Sequence, residues 1–289
     1  MRSSRWPWLS ESKRIFKALP LVFMSLQSSF THRYALRLSY HGANFLGWQR
    51  QAAGRTVQEC LESALATWLR SDAEVVGVGR TDSGVHALNY IAHFDTNSAV
   101  DCSEMVFRMN RFLPDDLVLF EAVPVTMDFH ARFSALSRSY QYRIQRSKVV
   151  FGRETAWQLD RTLNVQLLHQ MAASIVGTHH FGAFERSGSA PTNGMCSISH
   201  AQWNVLGEDL LFEIEGSRFL RNMVRALVGT MIEQAIADRG MEAWETLRQG
   251  QKRTDSGPSA PAQGLTFAGS AFAEFLFDGR EKPQFIPKR

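Results

Sequence analysis

The first regular pattern in the chain is the stretch YALRLSY at residues 34–40, where large apolar residues alternate with Ala, Arg and Ser. This period of two predicts a strand with one buried face. Further along, Thr56 precedes an apolar stripe at helical spacing, and Glu59 follows it three residues later. That is the capping-box pattern that begins a helix. A strand followed by a helix is therefore the predicted opening unit of the fold.

The same two patterns recur in the second half of the chain. Residues 140–144 alternate and predict another strand, and residues 203–214 are typical of a hairpin. Asn164 is placed to cap a helix that ends at Gly177, and residues 219–232 show a strongly apolar helical pattern. Strands and helices in both halves predict an α+β protein with two similar lobes, each a mainly antiparallel sheet with helices on one face.

Length and composition limit the class of protein. With 289 residues, the chain is long enough for two domains and a large core. Its 44% hydrophobic and 21% charged residues are typical of a folded soluble protein. The uncharged stretch at residues 18–31 is too short and too polar to span a bilayer, so no membrane partner is expected. Three cysteines without C-x-x-C spacing predict a reducing, cytoplasmic compartment and no zinc site.

Positive charge is concentrated at the N-terminus, where residues 1–33 contain six Lys or Arg and one Glu. This Arg- and Ser-rich composition is also that of an organelle transit peptide, which is the alternative to a cytoplasmic location. We favour a loose extension or an early start assignment, because Met24 lies shortly before the first strand. The predicted organisation is a disordered extension at residues 1–33, an N-terminal lobe at residues 34–132 and a C-terminal lobe at residues 133–289.

A second basic region runs from residue 132 to residue 153, with six Lys or Arg, four aromatic residues and no acid. Cations interleaved with aromatics suit a phosphate chain whose bases stack on the rings. On charge alone, a solvated strand face is the simpler interpretation. Arg143 and Lys148 are the candidate contacts to a nucleic-acid backbone.

Polar, reactive and flexible residues are densest in the segment GVGRTDSGVHA at residues 77–87. It is not a dinucleotide fingerprint, because Asp82 stands where the last glycine is required, and it lacks the Lys-Ser/Thr of a P-loop. Asp82 and His86 have the spacing of two metal ligands on one helix face, but no further ligand lies at suitable spacing. Taken alone, Asp82 is either a catalytic carboxylate or a residue that caps a turn.

Several segments, in order along nearly the whole chain, together resemble the tRNA pseudouridine synthase A family. They are YHGANFLGWQRQ (40–51), RTVQ (55–58), GRTDSGVHA (79–87), HF (93–94), FHAR (129–132), SY (139–140), FLRNMVR (219–225) and GL (264–265). The resemblance implies two lobes around a central basic cleft and a homodimer that acts on the anticodon arm of tRNA. It also implies isomerisation of uridine to pseudouridine without a cofactor or a metal.

The resemblance assigns roles to individual positions. Asp82 matches the catalytic aspartate of the family and Arg225 its salt-bridge partner. Arg80 matches a neighbour near the flipped nucleotide, Tyr140 the residue that stacks on the target base, and Leu265 an apolar wall of the pocket. The chemistry explains the Arg: burial favours a neutral carboxylic acid, whereas a nearby guanidinium favours the carboxylate that the reaction needs.

Other interpretations stay open at this level. Arg225 can snorkel to solvent from an apolar helix, and Tyr140 can be an ordinary strand residue packed on the core. A non-catalytic RNA-binding module is the rival function. A metal-dependent nuclease or hydrolase that uses Asp82 and His86 is a third.

The sequence also departs from the family pattern close to the candidate site. Ser83 stands where the family usually has Ala, and its hydroxyl is a possible competitor for the Asp82 carboxylate. Gln141 replaces a frequent Arg after Tyr140. This second change is expected to weaken contacts with the tRNA backbone without affecting catalysis.

Overall fold

The structure is a computed structural model that describes residues 30–186, 188, 193–250, 252–273 and 276–277. The extension predicted at residues 1–33 lies outside the described residues except at its end. There, His32 and Arg33 already belong to the first strand. In the described part of the chain, no helix combines the length and the hydrophobicity needed to cross a bilayer.

Ten strands of the described chain form one continuous sheet in the order β4-β1-β3-β10-β5-β9-β8-β7, with β2 on β3 and β6 on β5. The pairs are antiparallel except for β10 with β3 and β5 with β6. The strands are β1 His32–Tyr40, β2 Val75–Gly77, β3 His86–Thr96, β4 Leu117–Val125, β5 Ala135–Gln145, β6 Trp157–Gln158, β7 Gly177–His180, β8 Met195–Leu206, β9 Asp209–Gly216 and β10 Leu265–Phe272.

The α-helices of the described residues are α1 Val57–Leu69, α2 Cys102–Met109, α3 Val165–Ser174, α4 Met223–Ala237 and α5 Gly240–Arg248. Two predicted helix starts are confirmed by their caps. The Thr56 side chain accepts the Glu59 N–H at 3.4 Å, and the Asn164 side chain accepts the Leu167 N–H at 2.9 Å. Helix α3 ends before the predicted Gly177, which begins β7 instead.

The buried hydrophobic side chains form two cores on this sheet. One core joins α1 and α2 to β1, β3 and β4, and the other joins α3, α4 and α5 to β8 and β9. Strand β10 contributes to both, because Phe267 lies in the first core and Leu265 in the second. The predicted α+β class with a mainly antiparallel sheet is confirmed, and the two halves share a single sheet.

The loop before α4 differs from the sequence prediction in a way that matters for the site. The apolar pattern predicted a helix from Phe219, but α4 begins at Met223, after Asn222 in the left-handed region at φ +65°. Leu220 is buried in the second core. The ring of Phe219 instead packs edge-on against Tyr140, with 5.2 Å between the ring centroids. Core packing therefore overrides the helical pattern at these two residues.

Candidate active site

Asp82 lies in the loop that connects β2 to β3 at residues 78–85. The loop is fixed on one side by Thr81, which is buried. Its hydroxyl lies 2.8 Å from the Tyr40 hydroxyl, and its carbonyl accepts the Trp48 N–H at 3.2 Å. Because these partners belong to β1 and the segment that follows it, the first predicted strand positions the candidate carboxylate.

Two glycines let this segment approach the Asp82 loop closely. A Cβ atom at Gly42 would overlap the backbone carbonyl of Val85, and one at Gly47 would overlap that of Thr81. Gly47 also has a φ of +94°, which other residues rarely adopt. The glycines in the segment at residues 40–51 are therefore required by the packing of two backbones.

Arg225 lies in the first turn of α4 and faces the Asp82 carboxylate. The Arg225 Nη1 and Asp82 Oδ2 atoms are 3.7 Å apart, and the two side chains are 21% and 25% exposed. The Arg225 Nε–H donates to the Ala260 carbonyl at 2.8 Å, and the Ala260 N–H donates to the Arg225 carbonyl at 2.9 Å. The guanidinium is thus fixed beside the carboxylate and does not snorkel to solvent.

Tyr140 is a partly buried residue of β5 that packs against both cores. Its ring lies edge-on to Phe219 and Phe267, with 5.2 Å between centroids in each pair. Burial raises the pKa of the Tyr140 phenol, and the nearby Asp82 carboxylate raises it further. The Tyr140 phenol therefore stays protonated near neutral pH.

Leu265 begins β10 and lies opposite Tyr142 of β5, just as Phe267 lies opposite Tyr140. Since side chains alternate along a strand, all four share one face of the sheet. Leu265 is 5% exposed, so most of it is packed in the second core. The Tyr142 hydroxyl donates to the Pro261 carbonyl at 2.8 Å and holds the segment that leads to Leu265.

The remaining predicted site residues lie in different surroundings. Arg80 is exposed and lies two residues before Asp82 in the same loop. Lys148 is exposed beyond the end of β5. Arg143 is on the face of β5 opposite Tyr140, where its Nη2 lies 2.7 Å from Asp209 Oδ2. Arg80 therefore belongs to the Asp82 loop, whereas Arg143 lies on the face of β5 that points away from Tyr140.

His86, the first residue of β3, connects two backbone segments next to the Asp82 loop. Its Nδ1 accepts the Gly42 N–H at 3.0 Å, and its Nε2 lies 3.1 Å from the Gln263 carbonyl, which fixes the proton on Nε2. Burial lowers the pKa of His86 to about 4, and the neighbouring His41 contributes. Both ring nitrogens of His86 are engaged with backbone groups in this structure, and its ring packs against that of His41. Within the described ranges, no three His, Cys, Asp or Glu residues are grouped as metal ligands.

Comparison with known proteins decides the family. A family model described as tRNA pseudouridine synthase matches residues 38–134 and 171–272. The chain belongs to the tRNA pseudouridine synthases. A tRNA pseudouridine synthase A from Bacteroides thetaiotaomicron is 38% identical over 257 residues, 88% of this chain and 96% of the relative. A relative of the same name from Shouchella clausii is 37% identical over 85% of this chain and 95% of the relative. Another from Acetivibrio thermocellus is 36% identical over 80% of this chain and 95% of the relative.

The two departures from the family pattern each have a hydrogen-bond partner other than Asp82 in this synthase. The Ser83 hydroxyl donates to the Phe45 carbonyl at 3.3 Å. The Gln141 amide donates to Glu213 Oε1 at 2.9 Å, on the face of β5 opposite Tyr140. Ser83 therefore has a backbone partner of its own, and Gln141 takes part in a separate polar network.

The basic region at residues 132–153 is not one continuous cationic surface in this synthase. Arg143 is paired with Asp209, and Arg146 donates to backbone carbonyls of the turn between β8 and β9. Arg138 donates to four backbone carbonyls around the Asp82 loop and its neighbours. Sequence reasoning grouped Arg138 with the other cations and missed this role. The available signal was its place two residues before Tyr140, which continues the period of two of the strand predicted at residues 140–144.

Proposed function

We propose that this tRNA pseudouridine synthase acts on uridines of the anticodon arm and uses Asp82 as its catalytic carboxylate. The observation that carries the proposal is the placement of the Asp82 carboxylate beside the Arg225 guanidinium and Tyr140, in a chain of this family. The anticodon arm is supported by the resemblance of the quoted segments and by relatives named tRNA pseudouridine synthase A.

The reaction explains why an ionised carboxylate is needed. The bond between N1 of uracil and C1′ of the ribose must break, the base must turn, and C5 must bond to C1′ before it loses its proton. Asp82 can attack the sugar or the base covalently, or it can take a proton from the sugar and stabilise positive charge there. Both routes need the anion, which Arg225 stabilises at 3.7 Å.

Tyr140 is the proposed platform for the target base. A base within a stem is out of reach, so the enzyme must extrude it at a cost of about a few kcal/mol. Stacking on an aromatic ring stabilises the extruded base by about 1–3 kcal/mol. Phe219 and Phe267 hold the Tyr140 ring from two sides, so its orientation is set before RNA binds. Leu265 is proposed to bound the pocket with an apolar surface that offers no hydrogen bond to oppose rotation of the base.

Arg80 and Lys148 are proposed contacts to tRNA. Arg80 is exposed in the Asp82 loop, where it is suitably placed to bind phosphate next to an extruded nucleotide. Lys148 is exposed beyond β5. Each is available as a cation for the RNA backbone, whereas Arg143 is already neutralised by Asp209.

We also propose that the enzyme works as a homodimer, as the resemblance implies. Light scattering of the purified protein should give twice the mass of one chain. A monomer mass at concentrations where the protein is active would overturn this part of the proposal.

The deciding experiment for function is the incubation of purified protein with anticodon-arm transcripts, followed by carbodiimide mapping of pseudouridine. We expect the natural protein to modify uridines in the arm. Asp82→Asn should bind the RNA but modify nothing, because the amide has the shape of the carboxylate without its charge. Ser83→Ala is the matched control and should remain active, since the Ser83 hydroxyl donates to the Phe45 carbonyl.

Each contrary result has a distinct meaning. RNA binding without modification by the natural protein would indicate a non-catalytic RNA-binding module. Modification confined to other parts of tRNA would overturn the anticodon-arm assignment. An active Asp82→Asn variant would remove Asp82 from the mechanism.

A further inference from the structure

Arg138 uses every N–H of its two terminal nitrogens on backbone carbonyls. Its Nη1 donates to the Ser217 carbonyl at 2.9 Å and to the Ala135 carbonyl at 3.0 Å. Its Nη2 donates to the Val78 carbonyl at 3.3 Å and also to the Arg132 carbonyl. Each terminal nitrogen of a guanidinium carries two N–H groups, so four donors meet four acceptors.

These carbonyls belong to three separate segments of the chain. Val78 begins the loop that carries Asp82. Ser217 begins the loop that carries Phe219 and leads into α4, where Arg225 lies. The other two carbonyls belong to Arg132, in the connection between β4 and β5, and to Ala135, the first residue of β5. One side chain therefore ties the loop of the carboxylate to the loop of its cationic partner, across the junction between the two halves.

The guanidinium is better suited to fixing these segments than to binding phosphate. Within the described residues, no carboxylate forms an ion pair with Arg138, and backbone carbonyls accept its terminal donors. Its terminal donors are all occupied, which leaves none of them for an RNA phosphate. Removing the side chain would leave the four carbonyls without the donor that they share, and two of these hydrogen bonds are partly buried.

Arg138 also lies next to the proposed platform for the base. It is two residues before Tyr140 on a regularly paired part of β5, so the two side chains share one face. Its positive charge acts against the rise in the pKa of the Tyr140 phenol. A substitution at Arg138 would therefore alter the packing next to Tyr140. It would also remove the hydrogen bond to the Val78 carbonyl, which holds the Asp82 loop.

We propose that Arg138 is a positioning residue for the isomerisation, because it sets the spacing between the Asp82 loop, the Phe219 loop and Tyr140. The inference rests on the proposed function of the Asp82 site. Arg138 acts through these three elements and has no proposed contact with the reacting atoms. Loss of its hydrogen bonds should therefore slow the reaction in the bound complex and leave RNA affinity nearly unchanged.

The test compares Arg138→Met and Arg138→Lys with a matched control, Arg33→Met. Arg33 is also a partly buried Arg that donates to two backbone carbonyls, those of Met127 and Phe129. It pairs with Asp95 near the far end of β3 from the Asp82 loop. The two methionine variants thus remove a similar set of hydrogen bonds, one set at the site and one remote from it.

The readout is tritium release from anticodon-arm RNA labelled at C5 of uridine, since C5 loses its hydrogen when pseudouridine forms. The single-turnover rate at saturating RNA is measured together with the Kd from filter binding and with thermal unfolding. We expect Arg138→Met to lower the rate about 100-fold, the size of effect that a misplacement of about 1 Å produces. Its Kd should stay within about 3-fold of the natural value, because the contacts that RNA makes equally in the ground state and in the transition state are unchanged.

Arg138→Lys should recover part of the rate, because an ammonium group replaces some of the four donors. Arg33→Met should lose stability but keep its rate within about 2-fold, as expected for a site remote from the chemistry. The inference is overturned if folded Arg138→Met keeps its rate, if its Kd rises as much as its rate falls, or if Arg33→Met loses as much rate. A natural protein that releases no tritium would instead overturn the proposed function, and the inference with it.

Discussion

The two faces of β5 carry similar side chains but have different surroundings. On one face, Arg138 and Tyr140 meet the Asp82 loop, the Phe219 loop and β10. On the other face, Gln141 pairs with Glu213 and Arg143 with Asp209, both from the adjacent strand β9. The first face joins distant segments of the chain, whereas the second joins neighbouring strands.

The difference shows that the alternation of a strand, more than its charge, decides which cations take part in the site. Arg138 and Arg143 are five residues apart in one basic region, yet side chains separated by an odd number of positions in a regular strand lie on opposite faces. We therefore expect substitutions on the Tyr140 face to change the reaction, and substitutions on the Arg143 face to leave it nearly unchanged.

After the complete loss expected of Asp82→Asn, the largest expected effect is that of Arg225→Met, which removes the cation facing Asp82. Loss of one preorganised charge partner typically lowers turnover by about 100- to 1,000-fold. RNA affinity should change little, because Arg225 pairs with a protein carboxylate and donates to the Ala260 carbonyl. Single-turnover rates and filter binding test this, with Arg143→Met as the counterpart on the opposite face. Equal losses in rate and affinity would contradict the role of Arg225.

The next effect is a loss of stability in acid, which we expect from two buried histidines near opposite ends of β3. His86 holds Gly42 at the site end, and His93 accepts the Ala131 N–H at 3.1 Å near the other end. The pKa of each is lowered to about 4, mainly by burial. The unfolded chain therefore binds more protons than the folded chain between pH 6.5 and pH 4, so stability falls as the pH falls through this window.

By pH 5 each histidine should cost about 2 kcal/mol of unfolding free energy relative to pH 7. Urea unfolding at the two pH values measures this loss. His86→Asn keeps an acceptor for the Gly42 N–H and should reduce the pH dependence, whereas His169→Asn, at an exposed position of α3, should not. An unchanged difference between the two pH values in His86→Asn would show that His86 does not contribute.

A smaller effect is expected from Tyr140→Leu, which removes the ring proposed to stack on the base. The stacking free energy of one base predicts a loss of about 10- to 100-fold in turnover. Tyr140→Phe keeps the ring and separates stacking from any role of the hydroxyl. Gln141→Leu, the adjacent position on the other face, is the control and should remain active. Tritium release measures all three, and a fully active Tyr140→Leu would remove the stacking role.

The smallest expected effect concerns RNA binding alone. Lys148→Met should weaken binding and reduce the slope of affinity against salt by about 1, the contribution of one phosphate contact. Arg143→Met should leave the slope unchanged, because Asp209 already neutralises that charge. Filter binding over a range of salt concentrations gives the slopes. A change with Arg143→Met but not with Lys148→Met would reverse the assignment.

Local patterns predicted the elements that local interactions determine. The strand at residues 34–40, the caps at Thr56 and Asn164 and the hairpin of β8 and β9 all form as expected. The proximity of Asp82 to Arg225 came from resemblance to a family, since nothing in the spacing of two residues so far apart implies contact. The helix predicted from Phe219 began too early, because Phe219 and Leu220 are apolar for another reason. Phe219 packs against Tyr140 and Leu220 lies in the second core, and such residues have the same spacing as a helix face.

What the sequence did not reveal are contacts whose partners are backbone groups or distant strands. A carbonyl carries no signature in the sequence, so the four acceptors of Arg138 were invisible and the residue was counted as a surface cation. The position of β10 between β3 and β5 was equally hidden, because that pairing joins segments from opposite ends of the described chain.

The location of β10 also sets the order in which the enzyme becomes complete during its synthesis. A ribosome delivers the N-terminal half first and β10 after every other strand of the described residues. Yet this last strand fills the middle of the sheet, between the half that carries Asp82 and the half that carries Arg225. A nascent chain without β10 lacks the strand that joins β3 to β5 among the described residues, so we expect Asp82 and Arg225 to come together only after residues 265–272 have been made.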